Sequence, residues 1–157
     1  MTKPFLSIVI PAHNEAKLLP PSLEKIHSFL SQQAFTFEVL VVENGSTDDT
    51  LAVAKSFIEK MPYLRVIYEE ERGKGLAVKR GMLAAKGEYR FFCDADLSMP
   101  IEQVLRFIPP ALEDVEVAIG SREVSGSHRI DEPEYRHLIG RVFNTIVRWI
   151  VLPGLQD

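Results

Sequence analysis

The sequence predicts an α/β fold: a mostly parallel sheet flanked by helices on both faces. Short apolar runs alternate along the chain with longer segments of helical period. The runs are continuously hydrophobic, the pattern of strands covered on both sides. No linker, repeat or low-complexity tract interrupts the alternation, so the 157 residues read as a single domain, 1–157, of ordinary size.

The first run, Phe5–Ile10, is too short for a signal-peptide core and is followed at once by Pro11, His13, Asn14 and Glu15, so it reads as a strand. The helical pattern Leu18–Gln33 comes next, then a strand at Phe37–Glu43 and a helix at Asp48–Met61. Ser46 with Asp49 three residues later resembles a capping arrangement at the start of that helix. Leu64–Tyr68 reads as a third strand, Gly75–Ala85 as a third helix and Glu88–Cys93 as a fourth strand. Pro100 pre-sets the first turn of a helix at Ile101–Leu112. A fifth strand at Val115–Gly120 and a helix at Tyr135–Leu152 complete the expected order.

Composition narrows the function. Hydrophobic residues at 46% and charged residues at 25% are ordinary for a folded soluble domain, and a net charge of -4 argues against broad phosphate neutralisation on a nucleic acid. Cys93 is the only cysteine, reads as a buried thiol and is compatible with a reducing cytoplasm.

In open parallel sheets ligands bind beyond the carboxyl ends of the strands, so the turns there carry the functional reading. Pro11-Ala12-His13-Asn14-Glu15 lacks the glycines of a dinucleotide-binding turn, which disfavours a nicotinamide dehydrogenase. Glu43-Asn44-Gly45-Ser46-Thr47-Asp48 combines an Asn-Gly turn with hydrogen-bonding side chains at a helix start; Glu43 could accept from a base or ribose, although a ligand-free turn and cap explains the segment equally well. Arg72-Gly73-Lys74-Gly75 is a basic, glycine-flanked turn at the mouth of a helix, suited to phosphate. It is not a Walker A loop, because Gly75 stands where Ser or Thr is needed. The fourth strand runs straight into Asp94-Ala95-Asp96, whose carboxylates, two residues apart, can face one pocket. Acids beside an apolar strand need a compensating cation. A hard ion bridging phosphate oxygens, Mg²⁺ or Mn²⁺, supplies one, and no Cys/His cluster supports zinc. Asp-x-Asp alone is common in surface turns; four polar turns after successive strands give it weight.

Together with Gly120-Ser121-Arg122, these stretches resemble family 2 glycosyltransferases, and within them the polyprenyl- or dolichyl-phosphate hexose synthases. The similarity covers essentially the whole chain. It implies the GT-A fold, Rossmann-like, and an inverting, metal-dependent transfer of a hexose from a nucleotide sugar, UDP-glucose ahead of GDP-mannose, to a polyprenyl or dolichyl phosphate. By the resemblance Pro11, Ala12, Asn14, Glu15, Glu43 and Asp48 line the nucleoside pocket, with Gly45 and Ser46 of the same turn, Lys74, Asp94 and Ala95 also on the donor. Asp96 is the direct metal ligand, Asp94 lies near ribose and metal, and Ser98 stands where some relatives place a further, glutamine, ligand. Arg122 and Arg136 match arginines used around phosphate groups, for which the planar guanidinium fork is suited. An ionised lipid phosphate needs no strong general base, so His13, His128 and His137 receive no catalytic role.

The apolar stretch Leu138–Leu152, with Arg141, Arg148 and Trp149, can lie on a membrane or pack onto the fold. A location at the cytoplasmic face of a membrane is expected. Relatives typically continue through an acceptor-side segment and membrane helices, which the resemblance implies are lacking here. Two alternatives differ in reaction. A non-catalytic nucleotide-sugar-binding or nucleotidyltransferase-like module shares the fold requirements. A phosphatase of the haloacid-dehalogenase type also follows a strand with Asp-x-Asp, but it needs a downstream lysine and none occurs after Lys86.

Overall fold

The computed structural model describes residues 3–120. The chain divides into two compact units, Met1–Glu113 and Asp114–Asp157. The first contains β1 (Leu6–Ala12), α1 (Leu19–Leu30), β2 (Phe37–Asn44), α2 (Thr50–Ser56), β3 (Leu64–Glu69), α3 (Lys74–Ala84), β4 (Tyr89–Phe92) and a 3₁₀ helix, Ile101–Arg106. Of the second, residues 114–120 are described and form neither helix nor strand.

All strand pairs are parallel, in the order β3-β2-β1-β4. β1 and β2 are the buried centre because their runs of Val, Ile and Leu serve both faces. Ile8, Ile10, Val39 and Val41 pack against α1, α2 and the 3₁₀ helix through Leu19, Leu23, Ile26, Leu30, Ala54 and Val104. On the opposite face Val9, Leu40 and Val42 meet Ala77 and Ala85 at α3. Gly81 permits the close seat of α3: a Cβ there would lie 2.3 Å from Val9 Cγ1 and 2.9 Å from Val42 Cγ2.

The order of the strands has a functional consequence. The chain steps outward from β1 to β2 to β3, then α3 carries it back across the sheet to the far side of β1. The carboxyl ends of β1 and β4 therefore flank the point where strand order reverses, where a crevice opens in folds of this kind.

At the opposite end of the sheet a buried polar cluster ties the layers together. Glu38, 6% exposed, accepts from Ser7 Oγ at 2.7 Å, from Lys86 N at 2.5 Å and from Arg65 Nη1 at 3.0 Å. Gly87 N donates to Ser7 Oγ at 2.7 Å, and Arg65 also reaches Ala84 O at 3.2 Å. The end of α3 is thus fastened to β1, β2 and β3. Among the described residues every buried side-chain polar atom has a partner.

The structure corrects several sequence expectations. Val115–Gly120 is not a strand: Val115, Val117 and Ile119 are 50%, 79% and 60% exposed, so the alternating pattern has no described ladder to join. The helix expected at Ile101–Leu112 is a 3₁₀ segment ending at Arg106, because Pro109 and Pro110 supply no N–H and crowd the preceding turn. The second helix occupies Thr50–Ser56 within the expected Asp48–Met61. Full coverage of every strand holds for β1 and β2, whereas β3 and β4 lie at the edges and are only partly buried. The expected helix Tyr135–Leu152 lies outside the described residues, as do Arg122 and Arg136.

Candidate functional site

A cavity of about 440 Å³ opens at the carboxyl ends of the strands. Pro11, Ala12, His13 and Glu15 line it from the end of β1, and Asn44 from the end of β2. Arg72, Gly73, Lys74 and Ala77 come from the entrance and first turn of α3, and Asp94, Ala95 and Asp96 from the turn after β4. The strand reversal brings the Asp-x-Asp turn beside the first loop, although more than seventy residues separate them.

Behind this lining, two loops are sewn together by side chains that replace backbone partners. Asn14, at φ 57°, donates its N–H to Ser46 Oγ at 3.0 Å, and its Oδ1 accepts from Thr47 N at 2.9 Å. Glu15 N donates to Thr50 Oγ1 at 2.8 Å, and Ala16 N to Asp48 Oδ2 at 3.2 Å. Asp48 Oδ1 also accepts from Thr50 N at 3.0 Å and from the Thr50 hydroxyl. These bonds hold the Asp48 carboxyl below its ordinary range, the Thr50 hydroxyl contributing most. The expected Ser46/Asp49 capping arrangement does not form. Asp49 occupies the cap position without a side-chain bond, because Ser46 has turned to the first loop.

Glu43, offered to a base or ribose on sequence, is 1% exposed, and its Oε1 accepts from Ser46 N at 2.6 Å. It closes the turn from beneath. Gly45 sits at φ 58° in that turn, where a Cβ would come within 3.3 Å of Arg72 Cγ. Asn14, Glu43, Gly45, Ser46 and Asp48, expected on the donor, stand outside the cavity lining and brace the loops behind it, while Pro11, Ala12, Glu15, Lys74, Asp94, Ala95 and Asp96 line it.

The cavity lining carries three carboxylates, Glu15, Asp94 and Asp96, and two cations, Arg72 and Lys74. Lys74 Nζ lies 2.6 Å from Asp94 Oδ1 in an exposed pair. Asp96 Oδ1 accepts from Ser98 N at 2.9 Å and Oδ2 from Ser98 Oγ at 2.7 Å, which holds the Asp96 carboxyl below its ordinary range despite some burial. Ser98 thus directs its hydroxyl hydrogen at Asp96. Burial pushes Glu15 up, and Asp96, Asp48 and Asp94 add to the effect by repulsion. Cys93, behind the acids, is buried, and its thiol is pushed up to about 12 by burial and by Asp94 and Asp96. Among the described residues no three His, Cys, Asp or Glu side chains form a complete metal cage. The set fits a hard ion that takes one or two carboxylates and completes its shell with phosphate oxygens and water. Lys74 now supplies the positive charge at Asp94.

On sequence, His13 received no catalytic role and Asn44 was read only as part of an Asn-Gly turn; both line the cavity. His13 Nδ1 lies 2.6 Å from Asn44 O, so that nitrogen carries the hydrogen, and Nε2 faces the Asn14 amide at 3.3 Å. Both residues stand within the segments singled out on sequence, but their importance rests on contacts between loops that no linear pattern displays.

The chain is 41% identical over 133 residues to a dolichyl-phosphate beta-glucosyltransferase of Drosophila melanogaster, covering 74% of this chain and 40% of the relative. It is 33% identical to the Homo sapiens protein of the same name, over 97% of this chain and 52% of that one. It is also 33% identical to a dolichol-phosphate mannosyltransferase of Pyrococcus furiosus, over 97% and 42%. The chain spans about half the length of the curated relatives it matches.

Among solved structures, a mannosyltransferase of Pyrobaculum calidifontis in complex with GDP-Man and Mn²⁺ superposes with a TM-score of 0.53 at 31% identity, over 61% of this chain and 28% of that one. TarS 1-349 of S. aureus gives 0.50 at 31%, over 58% and 27%. These neighbours bear out the GT-A class. Because the family model for Glycosyl transferase family 2 matches residues 7–152 and its relatives align along nearly the whole sequence, the chain belongs to that family.

Proposed function

We propose that this chain carries the donor site of a glycosyltransferase that moves a hexose from a nucleotide sugar, UDP-glucose ahead of GDP-mannose, to a polyprenyl or dolichyl phosphate. The observation that carries the reading is a cavity in which Asp94 and Asp96, from the turn after β4, meet Lys74 of α3 beside the β1 loop. A nucleoside diphosphate presents the chemistry such a cavity complements: an apolar-edged base and ribose followed by charged phosphates. The names of the similar proteins, dolichyl-phosphate and dolichol-phosphate transferases, support the acceptor class.

Mg²⁺ or Mn²⁺, held by Asp94 and Asp96, would neutralise charge on the leaving diphosphate as a Lewis acid. The chain's own residues supply the rest. Ser98 keeps Asp96 ionised and oriented through two hydrogen bonds. Lys74, now paired with Asp94, is within reach of a phosphate placed in the cavity. The bonds among Asn14, Ser46, Thr47, Asp48 and Thr50 brace, from behind the lining, the loop that carries Pro11, Ala12 and Glu15. An acceptor phosphate oxygen attacks the anomeric carbon as the bond to the diphosphate oxygen breaks, inverting that centre. The acceptor is already ionised, so no proton needs removing. Arg122 and Arg136 are assigned to its phosphate, by the match to family arginines. The reading places the chain at the cytoplasmic face of a membrane, and the apolar stretch Leu138–Leu152 supports the membrane contact alone.

Calorimetric titration with UDP-glucose and GDP-mannose, with and without Mn²⁺, tests the donor site. Asp96→Ala should lower the affinity for the preferred donor at least about a hundredfold in the presence of Mn²⁺, the scale of losing an ionic ligand and its hydrogen bonds. A folded chain that binds neither donor under any condition overturns the reading.

A further inference from the structure

We propose that Asn44 is a positioning residue for the diphosphate end of the donor, acting through the loop that carries Arg72 and Lys74; this deepens, and rests on, the donor-site reading above. Asn44 is the last residue of β2 and is 3% exposed. Its register partner, Glu69, is the last residue of β3, so the backbone ladder between the two strands stops there. The side-chain amide continues it: Nδ2 donates to Glu71 O, and Oδ1 accepts from Gly73 N at 2.7 Å. The chain from Glu70 to Gly73 has no helix or strand of its own. These two bonds bracket Arg72 and stop one residue short of Lys74, and both side chains line the cavity.

The main chain of the same residue serves another loop, its carbonyl accepting from His13 Nδ1 at 2.6 Å. Asn44 therefore sets the spacing between the loop after β1 and the cation-bearing loop after β3. An amide is the side chain suited to this, since it presents a donor and an acceptor in one plane as a peptide group does. Gly73, at φ 152°, lets its N–H turn back toward Asn44.

The experiment separates positioning from direct contact by comparing a nucleoside with its diphosphate. Affinities of uridine and UDP, and of guanosine and GDP, are measured by calorimetry with Mn²⁺ on the whole chain, on Asn44→Ala, on Lys74→Ala and on the double variant. Asn44→Ala should weaken the preferred diphosphate about tenfold, the scale of one charged hydrogen bond misplaced, and leave its nucleoside within about twofold. The double variant should lose less diphosphate affinity than the sum of the two single losses, as expected where Asn44 acts in part through Lys74 and in part through Arg72. Equal losses for nucleoside and diphosphate, or additive losses in the double variant, overturn the proposal. Should Asn44→Ala fail to fold, Asn44→Ser keeps a polar group there but cannot span Glu71 and Gly73; it must show the same selective loss, and unchanged UDP and GDP binding refutes the idea. A wild-type chain that binds neither diphosphate removes the donor site itself and this role with it, whereas an intact wild-type site with an unaffected variant removes this role alone.

Discussion

Replacing Glu38 by alanine tests how the layers are held together, because one carboxylate there satisfies donors from three separate elements. Ser7 is fully buried, and Lys86 N and Arg65 Nη1 converge on the same group. Loss of the carboxylate leaves the buried Ser7 hydroxyl and the part-buried Lys86 N–H without their acceptor, at about 1–3 kcal/mol for a buried group and less for a part-buried one. Arg65, whose side chain is 40% exposed, can turn to water and adds little. The expected cost of Glu38→Ala is about 2–4 kcal/mol, or a fall of roughly 4–16 °C in Tm for a chain of this size. Glu38→Gln keeps an acceptor for Ser7 and Lys86 and should cost less than half as much.

The pH dependence has a definite sign. Burial raises the Glu38 carboxyl, but hydrogen bonds from Lys86 N–H, Ser7 and Arg65 together outweigh it and hold the group below its ordinary 4.5. A depressed carboxyl contributes stability above its unfolded value and loses it as pH falls through the folded one. The gap between wild type and Glu38→Gln should therefore be constant near neutrality and shrink below about pH 4.5. Urea unfolding followed by far-ultraviolet circular dichroism at pH 7 and pH 4 provides the measurement. A Glu38→Ala protein within about 0.5 kcal/mol of wild type at pH 7 would refute the assignment of this cluster as a structural clasp.

Two further outcomes follow from packing. Gly81→Ala places a Cβ 2.3 Å from Val9 Cγ1, so denaturant unfolding should show a loss of about 1–3 kcal/mol, and an unchanged midpoint would mean that α3 sits farther from the sheet. The Cys93 thiol, buried and pushed up to about 12, should resist a thiol reagent at pH 8 in the folded protein and react within the mixing time once denatured; rapid labelling of the native chain would contradict the packing behind the Asp94 turn.

The parts of the fold that were legible in the sequence are those governed by continuous apolar runs. β1 and β2 fall within two residues of their expected ends because nothing but a doubly covered strand accommodates such runs. Val115–Gly120 shows the limit of the method: alternation of Val and Ile describes a side-chain preference, and a strand also requires a neighbour to pair with. The 3₁₀ segment was misjudged for a different reason, since the apolar period continued to Leu112 across a Pro-Pro step that the backbone could not follow. At the site, the acids and Lys74 were readable because charge beside an apolar strand demands explanation. Glu43 was not, since the pattern gives no sign of which way a polar side chain turns at a strand end. Asn44 was legible only as part of an Asn-Gly turn, because an amide that bonds the backbone of a loop 27 residues away leaves no local signature.

The tight seat of Gly81 makes α3 a lever. The helix is seated by Gly81, in its last turn, against Val9 and Val42, and Lys74 rides at its opposite end, seven residues or roughly 10 Å away at the helical rise. A tilt of about 5° about that pivot would swing Lys74 by roughly 1 Å, a displacement that can cost up to about a hundredfold in a reaction that depends on alignment. The width of a side chain in the interior thus acts as an adjustment screw for the cavity. Substitutions at Val9, Val42 or Gly81 can detune the site without touching anything that binds there.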